Sequence, residues 1–351
     1  MFKSKRIACI SDIHLGVHKD TQLWHDQHMN LAHWLKESLI ENSINDIIIA
    51  GDIFHNRYDI SVSTLHKCKE FFNVLKDFNI VAITGNHDCY YRDNSKINSI
   101  KVLEGNDFNV FDSSVKVVKF NSKIFAFCPW GTGIEDIPEC DVVIGHFEIK
   151  NFKMASNHIC DDGWDGGNLL DKCKKVLTGH FHTRDERVYE NDKTILYLGS
   201  PLELDWGDRD GAKGYTILNT NDLSLTFIEN TVSSKHIKIR MSDIQSGRVT
   251  IQQIKDIIPN NFVKVVVDVK FSESGVDALI AKLNILKPKH LKVDYEISEQ
   301  LQESEIIKED KIVSVVQVMQ EYVNVIDTDV SKKLIFDKCV ELYQKFQNTN
   351  E

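Results

Sequence analysis

At 351 residues, 42% of them apolar and 27% charged, the chain has the composition of a globular protein with one main core and a smaller appendage. No apolar run approaches the roughly 20 residues of a membrane span, and the stretch after the basic first six residues is too short for a signal peptide, so a cytoplasmic protein without a membrane partner is expected. The formal net charge of −10 speaks against a broad basic surface, and eight cysteines without a Cys-x-x-Cys pair speak against a disulfide framework or a cysteine zinc site.

In chain order, residues 6–11 form an apolar, β-branched run that reads as a strand. Residues 21–41 follow as a helix, with Leu23, Trp24, Met29, Leu31, Trp34, Leu35 and Leu39 near the helical period. A strand at 46–50, a helix at 61–78 with a Phe71-to-Phe78 apolar stripe, a strand at 80–84 and a helix around 95–104 repeat the alternation. From Phe108 the pattern changes to short strands. Runs 115–120 and 123–127 flank Asn121-Ser122, a hairpin signal. Strands at 141–144 and 175–178 come next, then hairpins over 187–198 and 214–228. Strand–helix units followed by paired strands predict two sheets face to face with helices outside, an α/β sandwich of four layers, αββα, over residues 1–234. A strand at 262–271, a helix at 275–286 and a strand at 290–297 predict a small α+β domain over 235–300. A charged linker at 298–311 and helices at 312–323 and 330–346 predict a helical tail over 301–351.

Five short motifs stand where predicted strands run out: Asp12-Ile13-His14, Gly51-Asp52-Ile53-Phe54-His55, Gly85-Asn86-His87-Asp88, Gly145-His146 and Gly179-His180-Phe181-His182. Strand ends are where an α/β scaffold displays functional side chains. Asp, His and Asn are the oxygen and nitrogen ligands suited to Mn²⁺, Zn²⁺ or Fe²⁺, and enough of them recur to fill two sites. Two metals about 3.5–4 Å apart suit phosphodiester hydrolysis, and a carboxylate is the natural bridge between them, with Asp52 best placed. Asp12 and His14, and likewise His180 and His182, sit two apart, so each pair projects to one side of an extended strand end.

These motifs, in this order, resemble the calcineurin-like metallophosphoesterase superfamily over about residues 6–200. Asp12-Ile13-His14-Leu15-Gly16 with Gly51-Asp52-Ile53-Phe54-His55 further resembles the SbcD-type and meiotic-recombination nuclease subunits of double-strand-break repair. Phe147-Glu148, Gly179-His180-Phe181-His182-Thr183, Leu198-Gly199-Ser200-Pro201 and Gly207-Asp208 resemble its T-even phage branch. The resemblance implies a nuclease, exonucleolytic on duplex ends and endonucleolytic on single strands, that uses two Mn²⁺ ions with Mg²⁺ as the alternative. Carried over residue by residue, it implies one metal on Asp12, His14, Asp52 and His182 and a second on Asp52, Asn86, His146 and His180. It makes His87 the catalytic histidine, oriented by Asp88, and puts His55 on the DNA backbone. It also implies DNA as substrate, a capping role for the small domain, an SMC-like coiled-coil ATPase partner docked on the tail, and a homodimer formed through helices of the first half.

Beside these stand plainer readings. Arg57, Tyr58, Arg92, Arg184 and Lys19 lie just beyond motifs, within reach of a DNA backbone, though solvated loop charge is the simplest account. The histidines at 18, 25, 28, 33, 66, 158, 236 and 290 lack a motif and read as surface or helix-face residues. The alternatives to a nuclease are a phosphodiesterase or phosphatase acting on a small molecule or protein, and a catalytically silent scaffold on the same fold.

Overall fold

The apolar runs become the central strands of two six-stranded sheets in the computed structural model, which describes residues 2–155, 158–269, 272–296, 323 and 331–348. The first sheet contains β1 (Arg6–Ile10), β2 (Asp46–Ala50), β3 (Asn79–Ile83), β4 (Phe108–Phe111), β13 (Gly214–Asn219) and β14 (Leu225–Glu229), in the order β14-β13-β1-β2-β3-β4. The second contains β5 (Lys116–Phe120), β6 (Lys123–Cys128), β7 (Val142–His146), β10 (Lys175–Gly179), β11 (Asp185–Val188) and β12 (Thr194–Tyr197), in the order β11-β12-β10-β7-β6-β5. β1 to β4 run parallel, as do β6, β7, β10 and β12, while hairpin strands close the edges antiparallel. A short hairpin, β8 (Lys153–Ala155) and β9 (His158–Ile159), lies outside both.

Strand periodicity sorts the core into layers. Ile7, Cys9, Ile48, Ala50, Val81 and Ile83 meet Phe125, Phe127, Val142, Ile144 and Leu177 between the sheets. Their neighbours Ala8, Ile10, Ile47, Ile49, Ile80 and Ala82 face the other way, onto Leu31, Leu35 and Leu39 of the helix Gln22–Glu41, Cys68 and Phe71 of the helix Val62–Val74, and Leu75 just beyond it. Val143, Val176, Ile195 and Tyr197 back onto Ile149, Phe152, Leu169 and Leu170. Strands covered on both faces read as unbroken apolar runs, which is why they were visible in the sequence. The result is the αββα sandwich.

Several elements differ from the sequence reading. The helix expected to reach residue 78 ends at Val74, and the chain turns back through a Phe78 N–H to Leu75 C=O bond. The helix expected around 95–104 is one 3₁₀ turn, Ile100–Leu103. There the Asn98 side chain accepts the Lys101 N–H and the Ser99 N–H goes to the Asp88 carbonyl, so local polar groups take the donors a helix needs. Asn121 and Ser122 both have positive φ, 49° and 63°, as a tight hairpin turn requires.

The small module holds a three-stranded parallel sheet, β15 (His236–Arg240), β16 (Phe262–Val267) and β17 (His290–Tyr295). β15 and the helices Met241–Gln245 and Ile251–Ile257 were not foreseen, and the strand expected to reach 271 stops at Val267. The module joins the main body through rings: Phe262 stacks on Trp24 at 5.3 Å and on His236 at 4.8 Å, while Glu203 accepts both the N–H and Nδ1–H of His236. His236 is therefore buried rather than superficial, and so are His25 and His28. Both ring nitrogens of His28 contact backbone carbonyls, of Trp24 and Ile13.

Met1–Tyr295 forms one compact unit and Glu296–Glu351 another. In the second, the described helix is Lys332–Asn348, while the expected linker at 298–311 and the helix at 312–323 lie, apart from Val323, outside the described residues. Among the described residues no helix is long and apolar enough to cross a membrane.

Candidate metal centre

The carboxyl ends of β1, β2 and β3 in one sheet and of β7 and β10 in the other open on the same side, and there the five motifs converge. The chain does not leave these strands extended. Asp12, His14, Asp52 and His180 all have positive φ, of 56°, 53°, 54° and 93°. Left-handed backbone is uncommon outside glycine and collects at functional sites, where surrounding bonds hold it. Here the Asp12 and His14 N–H groups bond to the Gly51 and Asp52 carbonyls, so the first two motifs fix each other. Gly51, at φ 94°, and Gly179 complete the packing. A Cβ on Gly51 would come within 2.5 Å of His146 Nδ1, and one on Gly179 would overlap the Ser11 hydroxyl.

Asp52 sits at the centre. Its Oδ1 accepts the His87 N–H at 2.8 Å, leaving Oδ2 to face His14 Nε2 at 3.5 Å and His146 Nε2 at 3.4 Å. One oxygen thus looks toward two groups of donors. On one side His14 Nε2 lies 3.0 Å from His182 Nε2 and 3.9 Å from Asp12 Oδ1. On the other, Asn86 Oδ1 lies 2.9 Å from both His146 Nε2 and His180 Nδ1. Asp12, His14, Asp52, Asn86 and His146 are buried; His55, His87, His180 and His182 form a half-exposed rim.

The donor set fits divalent cations. His146 Nδ1 must donate to the Ala50 carbonyl at 2.8 Å, so in the neutral ring Nε2 carries a lone pair, aimed at the Asn86 and Asp52 oxygens. Lone pairs converging in a buried pocket need a cation or a proton between them. Burial opposes charge on His146, yet Asp52 more than offsets it and pushes the ring up to about 9. The same field would draw a metal. Burial also holds His14 well below its usual value despite Asp52, so its ring is neutral and free to ligate. Among the described residues, three groups have ligating atoms within 4.8 Å of one another: Asp12, His14 and His182; Asp12, Asp52 and His146; and His14, His55 and His87. The arrangement suits one or two divalent ions.

Other parts depart from expectation. Asp88 does not orient His87. Its carboxylate accepts the N–H groups of Asp52, Ile53, Phe54 and Gly85 at 2.8–3.0 Å, clamping two motif loops together from below. The His87 ring is held instead by its Nδ1–H, donated to the His55 carbonyl at 2.6 Å. The His55 and His87 rings stack at 5.6 Å, with His55 Nδ1 3.4 Å from His14 Nδ1. Three residues not singled out as site residues also take part. Asp208 Oδ1 lies 3.4 Å from His182 Nδ1, and Glu148 Oε1 lies 3.0 Å from His180 Nε2, each behind a rim histidine. Lys213, buried, donates to the His182 carbonyl at 2.7 Å and pairs with Asp208 at 3.5 Å. Only the phage-branch fragments Gly207-Asp208 and Phe147-Glu148 hinted at the two carboxylates. Arg57, read as loop charge, brings Nη2 to 3.1 Å from the Asn86 carboxamide.

The chain is similar to several known proteins. The chain is 25% identical to exonuclease subunit 1 of Enterobacteria phage T4, covering 96% of this chain and 98% of that one. Among solved structures it is similar to a dimetal phosphatase of Danio rerio (10% identity, 61% of this chain and 92% of that one, TM-score 0.38). It is also similar to the nuclease MPE of Pseudomonas putida (18% identity, 63% and 87%, TM-score 0.32). The sequence profile of the calcineurin-like phosphoesterases matches residues 5–206, which is more than half of the chain. Given that match and the paired Asp, Asn and His clusters, the chain belongs to the calcineurin-like phosphoesterase family and is a metal-dependent hydrolase.

Proposed function

We propose that this chain is a DNA nuclease, the catalytic subunit of a recombination or break-repair complex, cleaving phosphodiesters with two metals, Mn²⁺ foremost. The observation that carries the reading is the rim of the centre. His55, His87 and Arg57 stand together at its half-exposed edge, and the 25% identity to a phage exonuclease subunit runs over nearly the whole of both chains. When bound, the metals would supply Lewis acidity and an activated water. Asp12, His14, Asp52 and His182 would hold one, and Asp52, Asn86, His146 and His180 the other.

The chain's own groups have separable tasks. His87 donates Nδ1–H to a carbonyl, which leaves Nε2 as the atom that holds or releases a proton toward a departing oxygen. With Asn86 Oδ1 turned toward the histidines, its amide nitrogen and Arg57 Nη2 lie side by side, two donors suited to one phosphate oxygen. The module from residue 235 would orient DNA, the tail would dock an SMC-like ATPase supplying the cationic surface that a −10 chain lacks, and helices of the first half would pair two copies.

The donor set by itself serves any phosphoester, so the second reading is a small-molecule or protein phosphodiesterase or phosphatase. The test is incubation with end-labelled duplex and hairpin DNA and, separately, with bis-p-nitrophenyl phosphate, in Mn²⁺ or Mg²⁺. Mn²⁺-dependent DNA cleavage lost in H87A is the expected result. Turnover of the small diester with DNA left intact would establish the second reading.

A further inference from the structure

Three large aromatic side chains are conspicuously unburied beside the metal centre. Tyr58 is 62% exposed, and Tyr90 and Tyr91 are each 47% exposed. They touch one another edge to face, Tyr58 to Tyr90 at 5.4 Å and Tyr90 to Tyr91 at 5.0 Å, and none belongs to the packed core clusters. Their placement is not arbitrary. Tyr58 follows His55 by three residues and Tyr90 follows His87 by three, so the cluster is built from the same two loops that carry the rim histidines. Those loops are tied: His87 Nδ1 bonds the His55 carbonyl, Tyr90 N–H bonds the Ile97 carbonyl, and Cys89 bridges Asn98.

Taking the nuclease reading as its starting point, we propose that Tyr58, Tyr90 and Tyr91 form a stacking platform for the unpaired bases of a single strand threaded to the metal centre. A duplex has its base faces already occupied, whereas a single strand exposes them, and aromatic rings beside cationic side chains are the recurrent means of holding it without sequence preference. The cations are present. Arg57 directly precedes Tyr58, with Nη2 3.1 Å from the Asn86 carboxamide, and Arg92 directly follows Tyr91; among the described residues neither forms an ion pair with a carboxylate. Asp59 and Asp93 lie beside these arginines in sequence, so on a chain of net charge −10 the site offers a strand two guanidinium groups outside any ion pair, each next in sequence to an exposed ring, rather than a net positive patch.

The test is binding of a fluorescent dT oligonucleotide and of an abasic strand of the same length, measured by anisotropy with the full chain in EDTA. Tyr58→Ala and Tyr90→Ala should each weaken dT binding about five- to tenfold while leaving the abasic strand unchanged, and Tyr58→Phe and Tyr90→Phe should retain dT binding. If the wild type cleaves DNA but the alanine variants bind dT normally, the platform is refuted and the nuclease reading stands. Failure of the wild type to cleave any DNA refutes both. Loss of self-association in the alanine variants, with dT binding intact, would assign the rings to a contact between two copies and overturn the proposal.

Discussion

Asp208 gives the sharpest test of how the centre is held, because it touches a rim histidine and a buried lysine at once. It is 6% exposed, with Oδ1 3.4 Å from His182 Nδ1 and 3.5 Å from Lys213 Nζ, and Oδ2 accepting the Leu204 N–H at 2.9 Å. Burial works against its charge, but His182 and Lys213 prevail and hold the carboxyl well below the usual range. D208N keeps the shape and the Leu204 bond while removing the charge. A carboxylate behind a ligating histidine fixes its ring and raises its basicity, so Mn²⁺ affinity should fall about 10–100-fold, or about 1.4–2.7 kcal/mol. Stability should fall separately. A buried charge left wholly unpaired costs about 3–5 kcal/mol, and Lys213 retains its bonds to the His182 carbonyl and Ser200 hydroxyl, so about 2–3 kcal/mol is expected. Calorimetric Mn²⁺ titration reads the first effect and urea unfolding in EDTA the second. Adding K213M should restore stability and leave the metal deficit in place. D208N binding Mn²⁺ within about twofold of wild type would refute the view that Asp208 organises His182, and would leave it only as the partner of Lys213.

Metal binding should be linked to pH through His146. Without metal its ring holds a proton up to about pH 9, so Mn²⁺ must displace that proton, and affinity should rise up to about 100-fold between pH 7 and 9. Titrations in buffers of different ionisation enthalpy should detect its release. The metal-free protein should show the opposite trend: a raised histidine stabilises below its unfolded value of about 6.5, and that contribution is lost as pH climbs through about 9. Removal of metal should lower stability by mass action, with about 2.7 kcal/mol separating EDTA from Mn²⁺ at 100 times its Kd, measured by urea unfolding. Tyr197→Phe should destabilise by about 2–4 kcal/mol. Its buried hydroxyl donates to the Phe147 carbonyl at 2.9 Å and accepts the Ile149 N–H at 3.0 Å, and both would be stranded. An unchanged urea midpoint would show that the segment after His146 relaxes to find other partners.

The sequence by itself determined the strands, because Ile47–Ala50 and Val142–Ile144 are buried on both faces and leave an apolar signature that needs no tertiary knowledge. It also determined where side chains of metal-binding chemistry are displayed, since Gly51, Gly85, Gly145 and Gly179 stand at the ends of those runs. Partnership was beyond it. Asp88 resembled an orienting carboxylate for its neighbour His87, yet it binds backbone N–H groups up to 36 residues away. His28 and His236 read as surface or helix-face residues, yet each is buried, His28 against the Trp24 and Ile13 carbonyls and His236 against the Glu203 carboxylate. Composition and periodicity report the environment of an element, averaged over its faces. Which oxygen of Asp52 is left facing His14 and His146, which ring nitrogen of His180 turns inward, and which loops bring Arg57 to Asn86 follow from two sheets packing face to face. The five strand-end motifs thus announced the chemistry, and the left-handed turns at Asp12, His14, Asp52 and His180, held by contacts between strands distant in sequence, decided its geometry.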